Sequence, residues 1–381
     1  MENKHIELPP FVEEICLHLE NAGYEAFAVG GCVRDILMGR APGDYDVATA
    51  ASPEEIQRIF PHTVPTGIAH GTVTVLTENG QAEVTTFRTD GKYSDKRRPD
   101  SVTFVSDIKT DLARRDFTVN AMAYSPGRGF YDPFGGSEDI KKKCLRAVGV
   151  PVVRFSEDAL RILRLYRFSA QLSFEIEPGT AKAALEKAEL LSFVSAERIF
   201  TEISKLLHFG NATQLKMATP AIRVTLPEAD LSDETLCKVE NCAFEASKWA
   251  ILCGKQTENA LRRLKASRAL ILKAAELAAY EKGKEILWDT ARLRYAAPEE
   301  LFAYTGDSAS EEKWKRQVAA GLPQSLGALS VTGQDAEEAG FSGKEIGRAL
   351  ERVFMYVIQN PGNNKKETLK EVLRWMRKQE S

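Results

Sequence analysis

The residues best suited to chemistry lie in one short stretch near the start of the chain. Gly30 and Gly31 form a pair, Arg34 follows within one helical turn, and two aspartates, Asp44 and Asp46, come soon afterwards. Glycines permit the positive φ of a tight turn, and the free N–H groups of a helix that starts there point at an anion. This stretch therefore suits a nucleoside triphosphate bound beside divalent metal ions.

Asp44 and Asp46 are candidate metal ligands and catalytic residues. Residues i and i+2 of a strand project from the same face, so the two carboxylates would lie together. Magnesium prefers oxygen ligands and keeps phosphate oxygens in its shell, and two such ions can activate an attacking hydroxyl and neutralise a departing pyrophosphate. Glu83, which opens another apolar strand, is a candidate third carboxylate. An Asp-x-Asp motif alone is usually a polar turn, but its place after the glycine pair favours the metal site.

Arginines in two segments are candidate phosphate ligands. Arg34 could donate a charge-assisted hydrogen bond to a phosphate. The segment 114–123, RRDFTVNAMA, places Arg115 within reach of a triphosphate and Asn120 where it could hold a loop or a ribose. Taken alone, the arginine pair of this segment would be interpreted as a surface feature neutralised by Asp116.

A later helix carries a possible base-reading edge. The sequence EDALRILRLYR follows Ser156, a suitable N-cap residue. Helical spacing puts Glu157, Arg161 and Arg164 on one face, with Asp158 three residues before Arg161. The plain interpretation is a set of surface ion pairs worth about 0.3–0.5 kcal/mol each. The alternative is that Asp158 and Arg161 imitate the pairing edge of an absent template strand.

Hydrogen-bond chemistry determines which bases such an edge would accept. Arginine only donates, and an ionised aspartate only accepts. Cytosine and adenine each present a ring acceptor beside an exocyclic amine, so the pair Arg161 and Asp158 satisfies both. Guanine and uracil present a ring N–H to the arginine and a carbonyl to the aspartate, and each buried polar group left unpaired costs about 1–3 kcal/mol. The pair therefore predicts selection of C and A over G and U.

The elements that must position these residues change in character near residue 150. Before it, strands and helices alternate, which predicts an α/β fold. The expected elements are helix 11–22, strand 26–29, helix 33–38, strand 45–48 and a hairpin of 71–76 with 83–87. After Pro151 the periodicity is helical throughout. Turn-rich breaks near 209–213, 226–233 and 321–327 are possible boundaries.

Composition narrows the class of protein. The 381 residues are 43% hydrophobic and 28% charged, as in globular domains. No run of about 18 apolar residues occurs, which argues against a membrane span. The six cysteines form no Cys-x-x-Cys pair and are expected to be reduced thiols in a cytoplasmic protein. The net charge of −3 argues against a uniformly basic nucleic-acid binder, but basic residues cluster locally at 92–98, 114–115, 141–143 and 161–167.

Together these motifs resemble those of the bacterial class II tRNA nucleotidyltransferases, the CCA-adding enzymes of the polymerase-β-like nucleotidyltransferase and poly(A) polymerase superfamily. The motifs in common order are GGCVRD with DYD, RTDGKYSDKRRPD, RRDFTVNAMA, YDPFGG and EDALRILR. The resemblance implies a polymerase-β-like α/β head with a mixed sheet, followed by all-α neck, body and tail domains in an elongated, seahorse-like shape. The expected domains are the head 1–152, the neck 153–210, the body 211–326 and a tRNA-binding tail 327–381.

The resemblance also implies roles for individual residues. Asp44 and Asp46 would bind two Mg²⁺ ions. The implied ligands of the nucleotide, ATP or CTP, are Gly31, Arg34 and Arg115 in the head and Asp158, Arg161, Arg164 and Arg167 in the neck. A mobile loop over 88–100, linked to addition of the terminal A, would include Asp90, Gly91, Tyr93, Arg97 and Pro99.

The expected function is template-independent addition or repair of the 3′-terminal CCA of tRNA from CTP and ATP, with release of pyrophosphate. The partner would be the acceptor arm and 3′ end of tRNA, with no membrane, DNA or obligate protein partner. Two related alternatives are an enzyme that adds only the final A beside a separate CC-adding partner, and a bacterial poly(A) polymerase. Residues 59–76 lack the basic segment expected of the latter. Two others are a silent RNA-binding protein, which the retained Asp44 and Asp46 disfavour, and a small-molecule transferase, which the long helical remainder disfavours.

Overall fold

The computed structural model describes residues 6–68, 71–90, 102–281 and 286–380. Contacts within the chain divide it into two compact units, Met1–Pro227 and Glu228–Ser381. All the candidate site residues belong to the first unit. The finer division into head, neck, body and tail stays a prediction.

The first unit begins with strands and helices in alternation, as the sequence predicts, and ends with helices. Its strands are β1 (Ala26–Val29), β2 (Asp46–Thr49), β3 (Thr63–Gly67), β4 (Thr72–Thr77), β5 (Gly80–Thr86), β6 (Arg88–Asp90), β7 (Val102–Phe104), β8 (Ala123–Ser125), β9 (Gly129–Tyr131), β10 (Cys144–Leu145) and β11 (Glu175–Ile176). Its helices are α1 (Pro10–Asn21), α2 (Gly31–Leu37), α3 (Pro53–Ile59), α4 (Ile108–Ala113), α5 (Gly136–Lys141), α6 (Pro151–Glu157), α7 (Leu160–Leu172), α8 (Pro178–Lys187), α9 (Ala196–Phe209), α10 (Ala212–Met217) and α11 (Thr219–Thr225).

Seven of these strands form one mixed sheet in the order β3-β4-β5-β2-β1-β8-β9. β2 pairs with β5 in parallel, with Asp46 opposite Glu83, and the other neighbours are antiparallel. The expected hairpin is confirmed as β4 and β5, in which Thr77 pairs with Gly80. Since neighbouring strands lie about 4.8 Å apart, the pairing brings Glu83 beside Asp46 although 37 positions separate them.

Strand β1 lies inside the sheet and is buried along its whole length. One face of the sheet packs on α1, whose Ile15 and Leu19 follow the predicted helical spacing. The opposite face packs on Phe87 and Leu112. Because side chains alternate along a strand, β1 contributes side chains to the hydrophobic layer on each face of the sheet. This packing on both faces fixes the position of the end of β1.

Helices α6 to α9 follow the sheet, and the first two correct an expectation. The sequence predicts one helix that starts after Ser156, but α6 continues to Glu157 and α7 begins only at Leu160. The expected N-cap role of Ser156 is wrong, because its Oγ donates to the carbonyl of Val152 at 2.8 Å inside α6. The carboxylate of Asp158 instead accepts from the N–H of Leu160 at 3.1 Å and stabilises the start of α7.

Two further features complete the first unit. α7 packs along α9. β10 and β11 pair in parallel, with Cys144 opposite Glu175, so the region expected to be all-helical contains one two-residue strand.

The second unit is helical throughout its described residues. Its helices are α12 (Asp233–Glu240), α13 (Glu245–Cys253), α14 (Thr257–Arg263), α15 (Arg268–Ala278), α16 (Ile286–Ala291), α17 (Pro298–Thr305), α18 (Ser308–Ala319), α19 (Gly333–Glu338), α20 (Lys344–Gln359) and α21 (Lys366–Glu380). One core joins Phe302, Trp314, Val353, Phe354 and Leu373. Within the ranges described, no helix combines the length and apolar composition needed to cross a bilayer.

Candidate active site

The glycine pair lies where β1 leads into α2. Gly30 has φ 78° and ψ −124°, a conformation that residues with a side chain rarely adopt, and Gly31 is the first residue of α2. A Cβ atom on Gly30 would also lie 2.6 Å from Nη1 of Arg115, whereas one on Gly31 would meet nothing closer than 3.8 Å. The turn itself therefore requires the first glycine, and the second leaves space in front of the helix.

Arg34 is buried in α2 and has three acceptors. Its guanidinium donates to the two oxygens of Asp35 at 2.9 and 3.0 Å and to Oδ1 of Asn120 at 2.6 Å. These bonds fix the orientation of Arg34. Asn120 therefore orients an arginine, a role that the sequence did not indicate.

Asp44 and Asp46 lie at the start of β2. Asp46 is its first residue, Asp44 is exposed in the preceding loop, and Glu83 is the register partner of Asp46. Burial raises the pKa of Asp46 to about 6; Arg115 opposes this shift, and the charges of Asp44 and Glu83 add to it. A bound cation would relieve this repulsion. In the described part of the chain no three His, Cys, Asp or Glu side chains form a ready metal site, so substrate oxygens would have to complete the coordination.

Asp111, buried on α4, holds the second basic motif in place. Its carboxylate accepts from Arg114 at 3.0 and 2.8 Å, from Arg115 at 3.3 Å and from the N–H of Arg88 at 3.4 Å. Burial alone would raise the pKa of Asp111, but Arg115 and Arg114 outweigh it and hold the pKa below its ordinary value. Arg115 consequently lies against the turn at Gly30.

Asp116 does not neutralise the adjacent arginine pair at the surface. It is buried and accepts from Nε and Nη2 of Arg164 at 2.8 and 2.6 Å, from Asn120 at 3.1 Å and from the N–H of Phe117 at 2.8 Å. Burial would raise the pKa of Asp116, but Arg164 and Asn120 hold it well below its usual range. Asp116 thus links the segment after α4 to α7.

Asp158 and Arg161 line the same cavity, and the backbone N–H of Arg161 donates to the carbonyl oxygen of Asp158 at 3.1 Å, but their side chains bond to other groups. Arg161 donates to Glu157 at 2.9 Å and to two backbone carbonyl oxygens at 3.1 and 2.7 Å. Asp158 accepts from Nη2 of Arg198 at 2.7 Å. The plain interpretation of surface ion pairs is wrong for Arg161, which is only 8% exposed.

Arg164 and Arg167 are held by an acid and by an aromatic ring. Glu202 of α9 accepts from Nε of Arg167 at 3.0 Å and lies 3.7 Å from Nη1 of Arg164. The ring centre of Phe168 lies 3.4 Å from the guanidinium carbon of Arg167 and 5.2 and 5.3 Å from those of Arg164 and Arg34. The face of an aromatic ring attracts cations. Phe168 therefore helps three arginines to converge.

These side chains line one cavity of about 700 Å³ in the first unit. The candidate residues that it brings together are Gly31, Arg34, Asp44, Asp46, Arg115, Asp158, Arg161, Arg164 and Arg167. Glu83 does not line it and lies beside Asp46 in the sheet. The expected loop residues Gly91, Tyr93, Arg97 and Pro99 lie outside the described residues, and Asp90 is described only as the last residue of β6.

The cavity is suited to a phosphate-rich ligand. Its lining includes seven arginines and five aspartates, an excess of two positive charges. Guanidinium groups match phosphate oxygens in geometry and charge. The volume lies in the range of about 300–1,000 Å³ that small-molecule and cofactor sites occupy.

Known protein families and proteins match this chain along most of its length. Residues 26–146 match the poly(A) polymerase head domain, and residues 173–219 match the probable RNA- and SrmB-binding site of polymerase A. The CCA-adding enzyme of Geobacillus stearothermophilus is 36% identical over 389 aligned residues, covering 95% of this chain and 96% of that protein. The Lactococcus lactis subsp. lactis enzyme is 38% identical and covers 97% of both chains. This chain belongs to the CCA-adding enzyme family.

Solved structures of CCA-adding enzymes have the same fold. The crystal structure of the Bacillus stearothermophilus enzyme in complex with CTP has a TM-score of 0.81 at 32% identity, covering 98% of this chain and 99% of that one. The Thermotoga maritima enzyme complexed with tRNA has a TM-score of 0.72 at 20% identity, covering 97% and 96%, and shows the shared fold alone. The resemblance inferred from the motifs is confirmed, and the chain is a nucleotidyltransferase. The family supports the main functional prediction and not the A-only or poly(A) polymerase alternatives.

Several residues that line this cavity or hold its side chains in place were not predicted from the sequence. They are Asp111, Asp116, Phe168, Arg198 and Glu202. Asp116 and Glu202 act through partners that are distant in the chain and Phe168 acts through ring contacts, which no short motif reveals, whereas Asp111 bonds to Arg114 and Arg115, three and four residues away. Arg198 did carry a local signal, because it stands three residues after Ser195, where a helix start usually places Glu or Gln.

Proposed function

We propose that this chain completes or repairs the 3′-terminal CCA of tRNA, using CTP and ATP and releasing pyrophosphate. The observation that carries the proposal is the single cavity that joins Asp44 and Asp46 to Asp158 and Arg161. One bound nucleotide can extend its phosphates toward the carboxylates and its base toward α7. The solved complex of a relative with CTP supports this assignment.

The carboxylates fit divalent metal ions. Asp44, Asp46 and Glu83 are oxygen donors of the kind that magnesium prefers, and the charges of Asp44 and Glu83 add to the raised pKa of Asp46, which burial causes first. Two Mg²⁺ ions held by Asp44 and Asp46 would supply activation of the attacking 3′-hydroxyl and charge stabilisation for the departing pyrophosphate. Glu83, beside Asp46, adds negative charge to the same place.

The triphosphate is bound by the first part of the cavity. Arg34 and Arg115 donate to its oxygens, and Gly31 allows it to approach the backbone closely. Both arginines are oriented by buried neighbours, Asn120 and Asp111 respectively. The phosphates therefore meet donors that are already in place.

The base is selected by α7. Arg161 donates to the ring acceptor of cytosine or adenine, and Asp158 accepts from the exocyclic amine. Arg164 and Arg167 complete the wall of the pocket. Guanine and uracil would place a ring N–H donor against the donors of Arg161 and a carbonyl acceptor against the carboxylate of Asp158. These two bases therefore bind less well.

The acceptor is the 3′ end of a tRNA, whose acceptor arm is the partner of the chain. The match of residues 173–219 to an RNA-binding family supports an RNA partner. The segment 88–100 remains the proposed element for addition of the last A, and its residues 91–100 lie outside the described residues. The place of action that we infer is the cytoplasm, where tRNA is repaired.

The test uses three tRNA transcripts that end before CCA, after the first C and after CC. Each is incubated with the protein, Mg²⁺ and labelled CTP and ATP, and the products are sequenced. All three are expected to end in CCA. Extension of the CC-ending transcript alone would favour an A-adding enzyme, and long A tails would favour a poly(A) polymerase. Binding of tRNA without incorporation would favour a silent RNA-binding protein.

A further inference from the structure

Arg198 occupies a helix position where a cation is unfavourable. It lies in the first turn of α9, three residues after the N-cap residue Ser195. The positive end of the helix dipole disfavours a cation there, and a glutamate would form a capping box with the serine. The hydroxyl of Ser195 is buried without a hydrogen-bond partner. An arginine at this position therefore makes the start of α9 less stable than a glutamate would.

The position of Arg198 is explained by its single partner. Its Nη2 donates to Oδ2 of Asp158 at 2.7 Å, across 40 positions of sequence. Within the described part of the chain the side chain of Arg198 has no other hydrogen bond or ion pair, and its Nη1 is buried with no partner. Both residues line the cavity. Arg198 thus acts on the site through Asp158.

Different groups hold the side chains of the two base-reading residues, Asp158 and Arg161. Asp158 and Arg161 carry opposite charges, line the same cavity and are three residues apart in the chain. Glu157 and backbone carbonyls hold Arg161, while the N–H of Leu160 and Arg198 hold Asp158. An aspartate paired with its neighbouring arginine would have no directed acceptor left for a base.

We propose that Arg198 is a positioning residue that keeps the Asp158 carboxylate apart from Arg161 and directed at the exocyclic amine of the incoming base. The inference rests on the proposed function. Without Arg198, the carboxylate is free to turn toward Arg161 or solvent, and the edge that distinguishes C and A from U and G is lost. Lysine at this position supplies the charge without the planar fork and restores the arrangement only in part.

The experiment compares Arg198→Ala, Arg198→Lys, Asp158→Ala and the double variant Arg198→Ala/Asp158→Ala with the wild-type chain. The readouts are the ratio of kcat/KM for CTP over UTP on tRNA lacking CCA, and for ATP over GTP on tRNA ending in CC. Lys205→Ala, which removes an exposed cation of α9 outside the cavity, is the control and should leave both ratios unchanged. Thermal unfolding checks that each variant is folded.

Arg198→Ala is expected to lower both ratios by about tenfold or more, since one misdirected polar contact costs about 1–3 kcal/mol. Arg198→Lys should lie between it and wild type, and the double variant should be no less selective than Asp158→Ala. Wild-type ratios in Arg198→Ala, or additive losses in the double variant, would overturn the inference. A wild-type chain that incorporates neither C nor A would instead overturn the proposed function. If the alanine variant does not fold, Arg198→Gln and Arg198→Lys carry the same comparison.

Discussion

The two glycines of the turn after β1 should respond in opposite ways to alanine. Gly30 has φ 78° and ψ −124°, and holding a residue with a side chain there costs about 1–3 kcal/mol. The new methyl group would also lie 2.6 Å from Nη1 of Arg115 and displace it. Gly31 has no neighbour closer than 3.8 Å and lies in a helix, where alanine is more stable than glycine by roughly 0.5–1 kcal/mol.

We therefore expect Gly30→Ala to lower the free energy of unfolding by about 1–3 kcal/mol and Gly31→Ala to leave it equal or slightly higher. Binding of CTP should weaken in both variants. In the first, Arg115 has moved, and the loss of one charged hydrogen bond is worth about 1.5–3 kcal/mol, or at least about tenfold in affinity. In the second, the methyl group stands in the way of the phosphates.

Urea denaturation and calorimetric titration with CTP measure the two effects separately. Because the variants differ only in which of two adjacent glycines gains a methyl group, each is the matched control of the other. Wild-type stability in Gly30→Ala, or a larger loss of stability in Gly31→Ala, would refute the assignment of the strained position.

Three further expectations follow from the site. Asp44→Ala should lower incorporation at least about a hundredfold while tRNA binding in gel shifts is retained, because metal-assisted charge stabilisation is worth several kcal/mol; unchanged turnover would contradict the metal assignment. Arg161→Ala should loosen choice among the four triphosphates more than it weakens tRNA binding, and wild-type selectivity would count against the base-reading pair. Asp116→Asn should lower the free energy of unfolding by about 3 kcal/mol in urea, because Arg164 loses its close carboxylate partner and is left with Glu202 at 3.7 Å and the ring of Phe168; a loss under about 1 kcal/mol would argue against it. Since Arg164 and Asn120 hold the pKa of Asp116 below its ordinary value despite burial, its contribution is present above about pH 4 and lost at lower pH, so acid should destabilise wild type more than Asp116→Asn.

The parts of the site that lie within one short segment could be predicted from local sequence patterns. The turn after β1, the start of β2 and the β4–β5 hairpin follow from glycine chemistry and alternating apolar residues. Glu83 was a candidate because the sequence predicts that it opens a strand, whereas β5 begins at Gly80 and Glu83 lies in its middle. Only the parallel pairing of β2 with β5 puts it beside Asp46.

The remaining contacts depend on tertiary packing. Helical periodicity runs without interruption through 151–172, and the break before α7 is marked by the hydrogen bond from Leu160 to the Asp158 carboxylate. Asp116 was assigned to its sequence neighbours, but its partner Arg164 is 48 positions away. A buried carboxylate pairs with the cation that the fold places beside it, and sequence spacing does not show which cation that is.

The arginines that converge on Phe168 have a consequence for turnover. Arg34, Arg164 and Arg167 already have anionic partners within the chain. A phosphate that arrives must share these charges with carboxylates, so it exchanges one ionic contact for another and gains little net free energy. We therefore expect this pocket to bind its nucleotide with moderate affinity, which would let the site be emptied and refilled between successive additions to one acceptor.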